Sequence, residues 1–225
     1  MKTSIAIGAL ALAAIAGSAN ASVIPLYDFS TSFSSPNATS PNSGEGPVTG
    51  SNPFSLYGWN RSSSSTSPRN MVSGTTGSVT MSNIARAAAY TNFAVTTDYN
   101  ALPQPSVNLS GTTAIEFNVT AYTGAATTWT VFVYDSTGSF LQSLPTTVSG
   151  TGLQSFDVSS FFNVVPTTLD WSSIVSVDME ARTVGNAQTA QASSFTFNSF
   201  NAVIPTPGAA AMLGLGGLLA ARRRR

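Results

Sequence analysis

Two kinds of hydrophobic pattern divide this chain. From Met71 onward apolar residues recur at every second position, the period of a strand with one buried face. Residues 113–122 show it best, with Ile115, Phe117, Val119 and Ala121 on one face and Glu116, Asn118 and Thr120 on the other. Residues 128–135 set Trp129, Val131 and Val133 against Thr130, Phe132 and Tyr134. Asp135, Ser136, Thr137 and Gly138 then supply a turn into residues 140–144, so the two runs predict a hairpin. Further strands are predicted over 78–83, 87–95, 153–158, 174–179 and 195–203, giving about eight to ten in all. Polar, Pro- and Gly-rich stretches at 30–53 and 60–70 read as loose loops. Many short strands, turn residues between them and no amphipathic helix predict an all-β sandwich or barrel.

At the two ends the period is lost. Lys2, a continuous apolar run over 5–16 and the small residues Ala19 and Ala21 before Ser22 have the three parts of a secretory signal peptide, cleaved after Ala21. The other end carries Pro205, Thr206 and Pro207, then an apolar run over 208–221, then Arg222, Arg223, Arg224 and Arg225. As a helix, 208–221 rises only ~21 Å against a hydrocarbon core of ~30 Å. Counted from Val203 the segment reaches ~28 Å, with both prolines in its first turn, where a missing N–H costs little. Each arginine costs ~2.5 to 3.5 kcal/mol to insert, so the cluster is expected to stay cytoplasmic and everything before Pro205 to lie outside. A helix docked in a core is the alternative. The expected organisation is a signal helix over 1–21, a β-sandwich ectodomain over 22–204 and an apolar helical tail over 205–225.

Composition changes the picture at one point. The formal charge is zero, but five of the nine cations belong to the targeting ends; Arg61, Arg69, Arg86 and Arg182 then face all nine acids, a net of −5. With no lysine between 22 and 204, clustered phosphate contacts are excluded, and nucleic acid with them. Absence of Cys and His excludes thiolate–zinc and imidazole sites and any His-based triad.

Pro205-Thr206-Pro207, the apolar run and the four arginines together resemble the PEP-CTERM sorting signal of Gram-negative bacteria, with threonine where that motif has glutamate. The resemblance covers the last tenth of the chain. It implies an inner-membrane anchor, handling by an exosortase-type protease and display at, or release from, the cell surface, often beside exopolysaccharide. The order of strand signals from Leu26 to Val203 resembles jelly rolls of the carbohydrate-binding-module type. That second resemblance implies a structural calcium between first and last strands, where Asp28 and Asn198 hold the comparable places. Only oxygen ligands are available to such a metal. The alternative is that Asp28 is a solvated strand-end residue.

Sugar platforms need exposed aromatic rings, and Trp59 and Trp171, with Tyr99 and Tyr122, lie outside the apolar faces or beside loops; Trp129 is expected in the core. Asp178 and Glu180 are two apart and share the face opposite Val177 and Met179. The expected function is an exported, surface-anchored, non-catalytic protein associated with extracellular polysaccharide or matrix. Two alternatives stay open: a glycoside-active enzyme with paired carboxylates, and a structural surface protein without a ligand.

Overall fold

The computed structural model describes residues 21–30, 32–34, 48–52, 54–59, 71–83, 85, 90–97, 101–164, 168–185, 189 and 191–205. In chain order the strands are β1 (Ser22–Pro25), β2 (Phe33–Ser34), β3 (Val48–Asn52), β4 (Phe54–Trp59) and β5 (Met71–Thr75). There follow β6 (Ser78–Asn83), β7 (Tyr90–Thr96), β8 (Ala114–Gly124), β9 (Thr127–Asp135) and β10 (Phe140–Gln142). The last five are β11 (Thr146–Val148), β12 (Gly152–Asp157), β13 (Phe162–Asn163), β14 (Ile174–Thr183) and β15 (Ser193–Ile204). A single 3-10 turn, Val158–Ser160, is the one helical element among the described residues.

A seven-stranded sheet runs β12-β8-β15-β6-β5-β2 with β1 added on β15, and an eight-stranded sheet runs β13-β10-β9-β14-β7-β4-β3 with β11 added on β9. The chain changes sheet repeatedly, as from β6 to β7, β7 to β8 and β8 to β9, which is the connectivity of a jelly-roll-like sandwich. Aromatic side chains close the space between the layers: Phe93 meets Phe197 at 5.1 Å and Phe117 meets Trp129 at 5.9 Å, both edge to face. Trp129 is fully buried, as its strand phase predicts, and its indole N–H donates to Thr127 Oγ1 at 2.8 Å.

Several expectations need correcting. The alternation in β8 breaks after Val119, so Ala121 is exposed instead of buried and Tyr122 turns inward against Phe195. The cause is a pair of register shifts between β8 and β15 on either side of Phe197: one leaves Asn198 and Ser199 opposite Asn118, the other leaves Thr120 extra on β8. The stretch 30–53 is not wholly irregular, because β2 and β3 lie in it. Strands number more than the eight to ten predicted, the extra ones being short and mostly at sheet edges. Val203 and Ile204 belong to β15, paired with Val23 and Ser22, so an apolar tail segment cannot start at Val203. The signal helix, the loop 60–70 and the apolar tail lie outside the described residues, among which no helix is long and apolar enough to cross a membrane.

Candidate functional site: a groove on the outer face of the eight-stranded sheet

Because Trp129, Val131 and Val133 point into the core, strand geometry sends Phe132 and Tyr134 to the opposite face of β9. The β9–β10 hairpin then sets Phe140 opposite Tyr134 and Gln142 opposite Phe132. Tyr134 stacks on Phe140 at 5.1 Å and on Phe132 at 6.4 Å, with interplanar angles of 26° and 23°, so three nearly parallel rings form one apolar floor. On the other flank of β9, β14 places Asp178 opposite Phe132 and Glu180 opposite Thr130. Next to it β7 places Ala94 opposite Asp178 and Asn92 opposite Glu180. All of these but Thr130 and Ala94 line a groove of about 390 Å³, and Val164, just past β13, lines it too. The groove crosses the strands from β10 to β7, about 14 Å at ~4.8 Å per strand gap.

Its electrostatics are simple. Glu180 Oε1 accepts from Arg182 Nη2 at 2.8 Å and from Nε at 3.2 Å, and the guanidinium lies over the Tyr90 ring at 5.2 Å. That carboxylate is therefore already matched. Burial pushes the Asp178 carboxyl up to about 7, against the opposing hydrogen bond from Ser176 Oγ at 2.5 Å. Asn92 Oδ1 is buried and has no hydrogen-bond partner. A row of stacked rings flanked by amides and carboxyls offers apolar surface to C–H groups and polar groups to hydroxyls, an arrangement suited to a sugar.

Of the residues singled out in the sequence, Asp178 and Glu180 share the outer face as expected. Trp59 ends β4 in register with Asn92, which puts its position on the strand beside the groove, while its side chain lies outside the described set. Trp171 packs half-buried against the core, away from this groove's lining, and its backbone carbonyl accepts the Leu109 N–H at 2.8 Å. Tyr122 is structural as well, its hydroxyl donating to Ala125 O at 2.7 Å or Val148 O at 3.0 Å, with Thr127 Oγ1 also at 3.0 Å. Burial raises its phenol above the usual tyrosine range. Tyr99 lies outside the described residues.

Asp28 and Asn198 are each engaged locally. Asp28 Oδ1 accepts from Ser30 N at 3.0 Å and Ser30 Oγ at 2.8 Å, and Asn198 Oδ1 accepts from Asn118 Nδ2 at 2.8 Å. Among the described residues no three His, Cys, Asp or Glu side chains converge as a metal site. Of the positions expected to be processed or to anchor the tail, Ala21 is exposed, Ser22 opens β1 and Pro205 follows β15; Ala19, Thr206, Pro207 and the four arginines lie outside the described residues.

The sequence pattern carries a signal for the groove. Phe132 and Tyr134 put two aromatic rings on the face of β9 opposite its core residues, which an ordinary solvated face does not need. Phe140, Gln142, Asn92 and Val164 reach the groove through pairing between strands, which no local pattern reveals.

No protein-family model matches the sequence, nor does any curated protein. Among solved structures, the family 11 carbohydrate-binding module of a cellulosomal cellulase of Clostridium thermocellum aligns with a TM-score of 0.40 and 14% identity, covering 82% of this chain and 95% of that one. The family 11 module from Clostridium thermocellum in complex with a β-1,3-1,4-mixed-linked tetrasaccharide gives 0.41 and 13%, covering 82% and 96%. An agarase gives 0.44 and 12%, covering 82% of this chain and 25% of its own, so the chain spans a quarter of that enzyme's length. At these scores the likeness is one of strand arrangement alone.

Proposed function

We propose that this chain is a non-catalytic polysaccharide-binding protein that holds a neutral glycan in the groove over Phe132, Tyr134 and Phe140. The observation that carries this reading is the continuous three-ring floor beside Asp178, Glu180 and Asn92, in a groove that crosses the sheet. A net charge of −5 over residues 22–204 repels polyanions and favours an uncharged ligand. The catalytic alternative is poorly served by this geometry. Asp178 and Glu180 stand side by side on one strand, about 6.8 Å apart along it, on one wall instead of flanking a bond. Glu180 is tied up by Arg182.

Export and anchoring belong to the same proposal. The signal peptide and the sorting tail support delivery across the inner membrane, processing by an exosortase-type protease and residence at the cell surface. Ser22 and Ile204, which adjoin the two proposed processing points, are strand partners.

Affinity electrophoresis through gels containing mixed-linked β-glucan, xylan or agarose tests the binding claim. The wild-type protein is expected to be retarded by at least one of them. Tyr134→Ala is expected to weaken that retardation about tenfold, equivalent to ~1.4 kcal/mol, without unfolding the sheet. Free migration in all three gels, or an unchanged Tyr134→Ala, contradicts the reading.

A further inference from the structure

The apolar surface of the outer face does not end at the three stacked rings. Strand β13 runs along β10 at the edge of the eight-stranded sheet, with Phe162 opposite Gln142 and Asn163 opposite Leu141. Residues directly opposite in an antiparallel pair share a face, and Gln142 lines the groove, so Phe162 belongs to the groove's face. Its neighbour Phe161 packs against the core, and Val164, two residues on, lines the groove, which agrees with strand alternation. Phe162 is 43% exposed and Val164 46%. One uncovered ring alone means little. This one continues a row, because Phe162, Gln142, Phe132, Asp178 and Ala94 lie side by side across β13, β10, β9, β14 and β7. An uncovered phenylalanine on a sheet edge also invites association with other chains, a liability unless a ligand covers it.

At the other end of the groove the unmet need is polar. Asn92 Oδ1 on β7 is buried and has no hydrogen-bond donor among the described residues. Its register partner Glu180 holds the Arg182 guanidinium and, as a carboxylate, has no hydrogen to give. A ligand hydroxyl can supply one. The uncovered ring on β13 and the unmet acceptor on β7 stand four strand gaps apart, ~19 Å, roughly the length of four linked pyranose rings. Phe162 lies two of those gaps, ~9.6 Å, beyond Phe132, so a ligand of two sugars on the central rings does not reach it.

We propose that Phe162 is an outer sugar-stacking subsite and Asn92 Oδ1 the hydroxyl acceptor at the opposite end, so that the groove takes a linear run of about four linked sugars laid across the strands. The inference rests on the glycan reading of the groove and adds to it the size of the ligand and the two residues that hold its ends.

Isothermal titration calorimetry of the purified protein tests this with mixed-linked β-1,3-1,4-glucan oligosaccharides of two, four and six units, and with agaro-oligosaccharides of the same lengths as second probe. For a series that binds, wild-type affinity is expected to climb about tenfold from two units to four and to level off from four to six. Phe162→Ala is expected to bind the four- and six-unit probes about fivefold more weakly, the size of a lost aromatic contact, and the two-unit probe as wild type does. Phe162→Tyr keeps the ring and is expected to keep the affinity. Asn92→Leu, close in shape but without the acceptor, is expected to weaken the four-unit probe about fivefold while thermal unfolding shows no loss of stability, since no internal bond at Oδ1 is broken. Affinity independent of length, a Phe162→Ala loss that is absent or equal at every length, or an unchanged Asn92→Leu overturns the four-unit span and leaves the glycan reading standing. A wild-type dimer in sedimentation equilibrium that Phe162→Ala converts to a monomer at unchanged affinity assigns the ring to self-association and overturns the subsite. No binding of either series by the wild-type protein counts against the glycan reading itself, and the subsite falls with it.

Discussion

Two aspartates on neighbouring strands show how far identical side chains diverge with their surroundings. Asp135 is buried, which alone would raise its pKa, yet Asp170 N donates to Oδ2 at 2.9 Å, while Thr137 Oγ1 at 2.7 Å, Thr137 N at 2.8 Å and Ser139 N at 3.0 Å all donate to Oδ1. These bonds outweigh burial and hold the carboxyl below its usual range. Its stabilisation is present above the ordinary carboxylate pKa and is lost as pH falls through the lowered folded value. Asp178 has the opposite sign: its contribution is full below the ordinary carboxylate pKa and disappears as pH rises towards about 7. Urea unfolding is expected to show Asp135→Asn destabilised by about 1–3 kcal/mol at pH 7. In the same assay Asp178→Asn is expected to equal or exceed wild type at pH 8 and to flatten the decline between the two pKa values. The sequence identified Asp135 as the start of a turn, which Thr137 and Ser139 confirm. Its bond to Asp170 comes from a loop that no turn rule reaches.

At the scale of elements, the long alternating strands were readable and the short ones were not. β6, β8, β9 and β15 carry enough alternating residues to declare themselves, whereas β2, β11 and β13 have two or three residues each and are set by their partners. The register shifts between β8 and β15 left a trace, since Phe195, Phe197 and Phe200 are all buried although the last gap is three residues. A strict period of two therefore misplaced Ala121. Where β8 ends, Gly124 has a φ of +88°, and a Cβ there would stand 2.2 Å from the Ala192 carbonyl oxygen. Backbone cannot yield as a side-chain tip does, so Gly124→Ala is expected to lower stability by roughly 1–3 kcal/mol in thermal unfolding. The control Gly138→Ala, also at positive φ but with open space at Cβ, is expected to cost less.

For the whole molecule, the sandwich explains why the groove needed coordinates. Its floor is assembled from β10, β9, β14 and β7, four strands spread over about ninety residues and brought side by side only by the sheet order. Composition did limit the ligand, because the deficit of cations disfavours nucleic acid and polyanions alike. Mass spectrometry of the protein recovered from cells that produce it is expected to find an N-terminus at Ser22 and a C-terminus close to Pro205; an intact Met1 together with Arg225 contradicts the export and sorting proposal. The central claim is that the groove is where a glycan binds, and a heteronuclear NMR titration with the retarding polysaccharide's oligosaccharide tests it most directly. The account predicts shift changes concentrated at Phe132, Tyr134, Phe140, Asn92 and Asp178. Changes centred instead on the hydroxyl-covered outer face of the other sheet, around Thr80, Thr196, Ser82 and Ser194, contradict it.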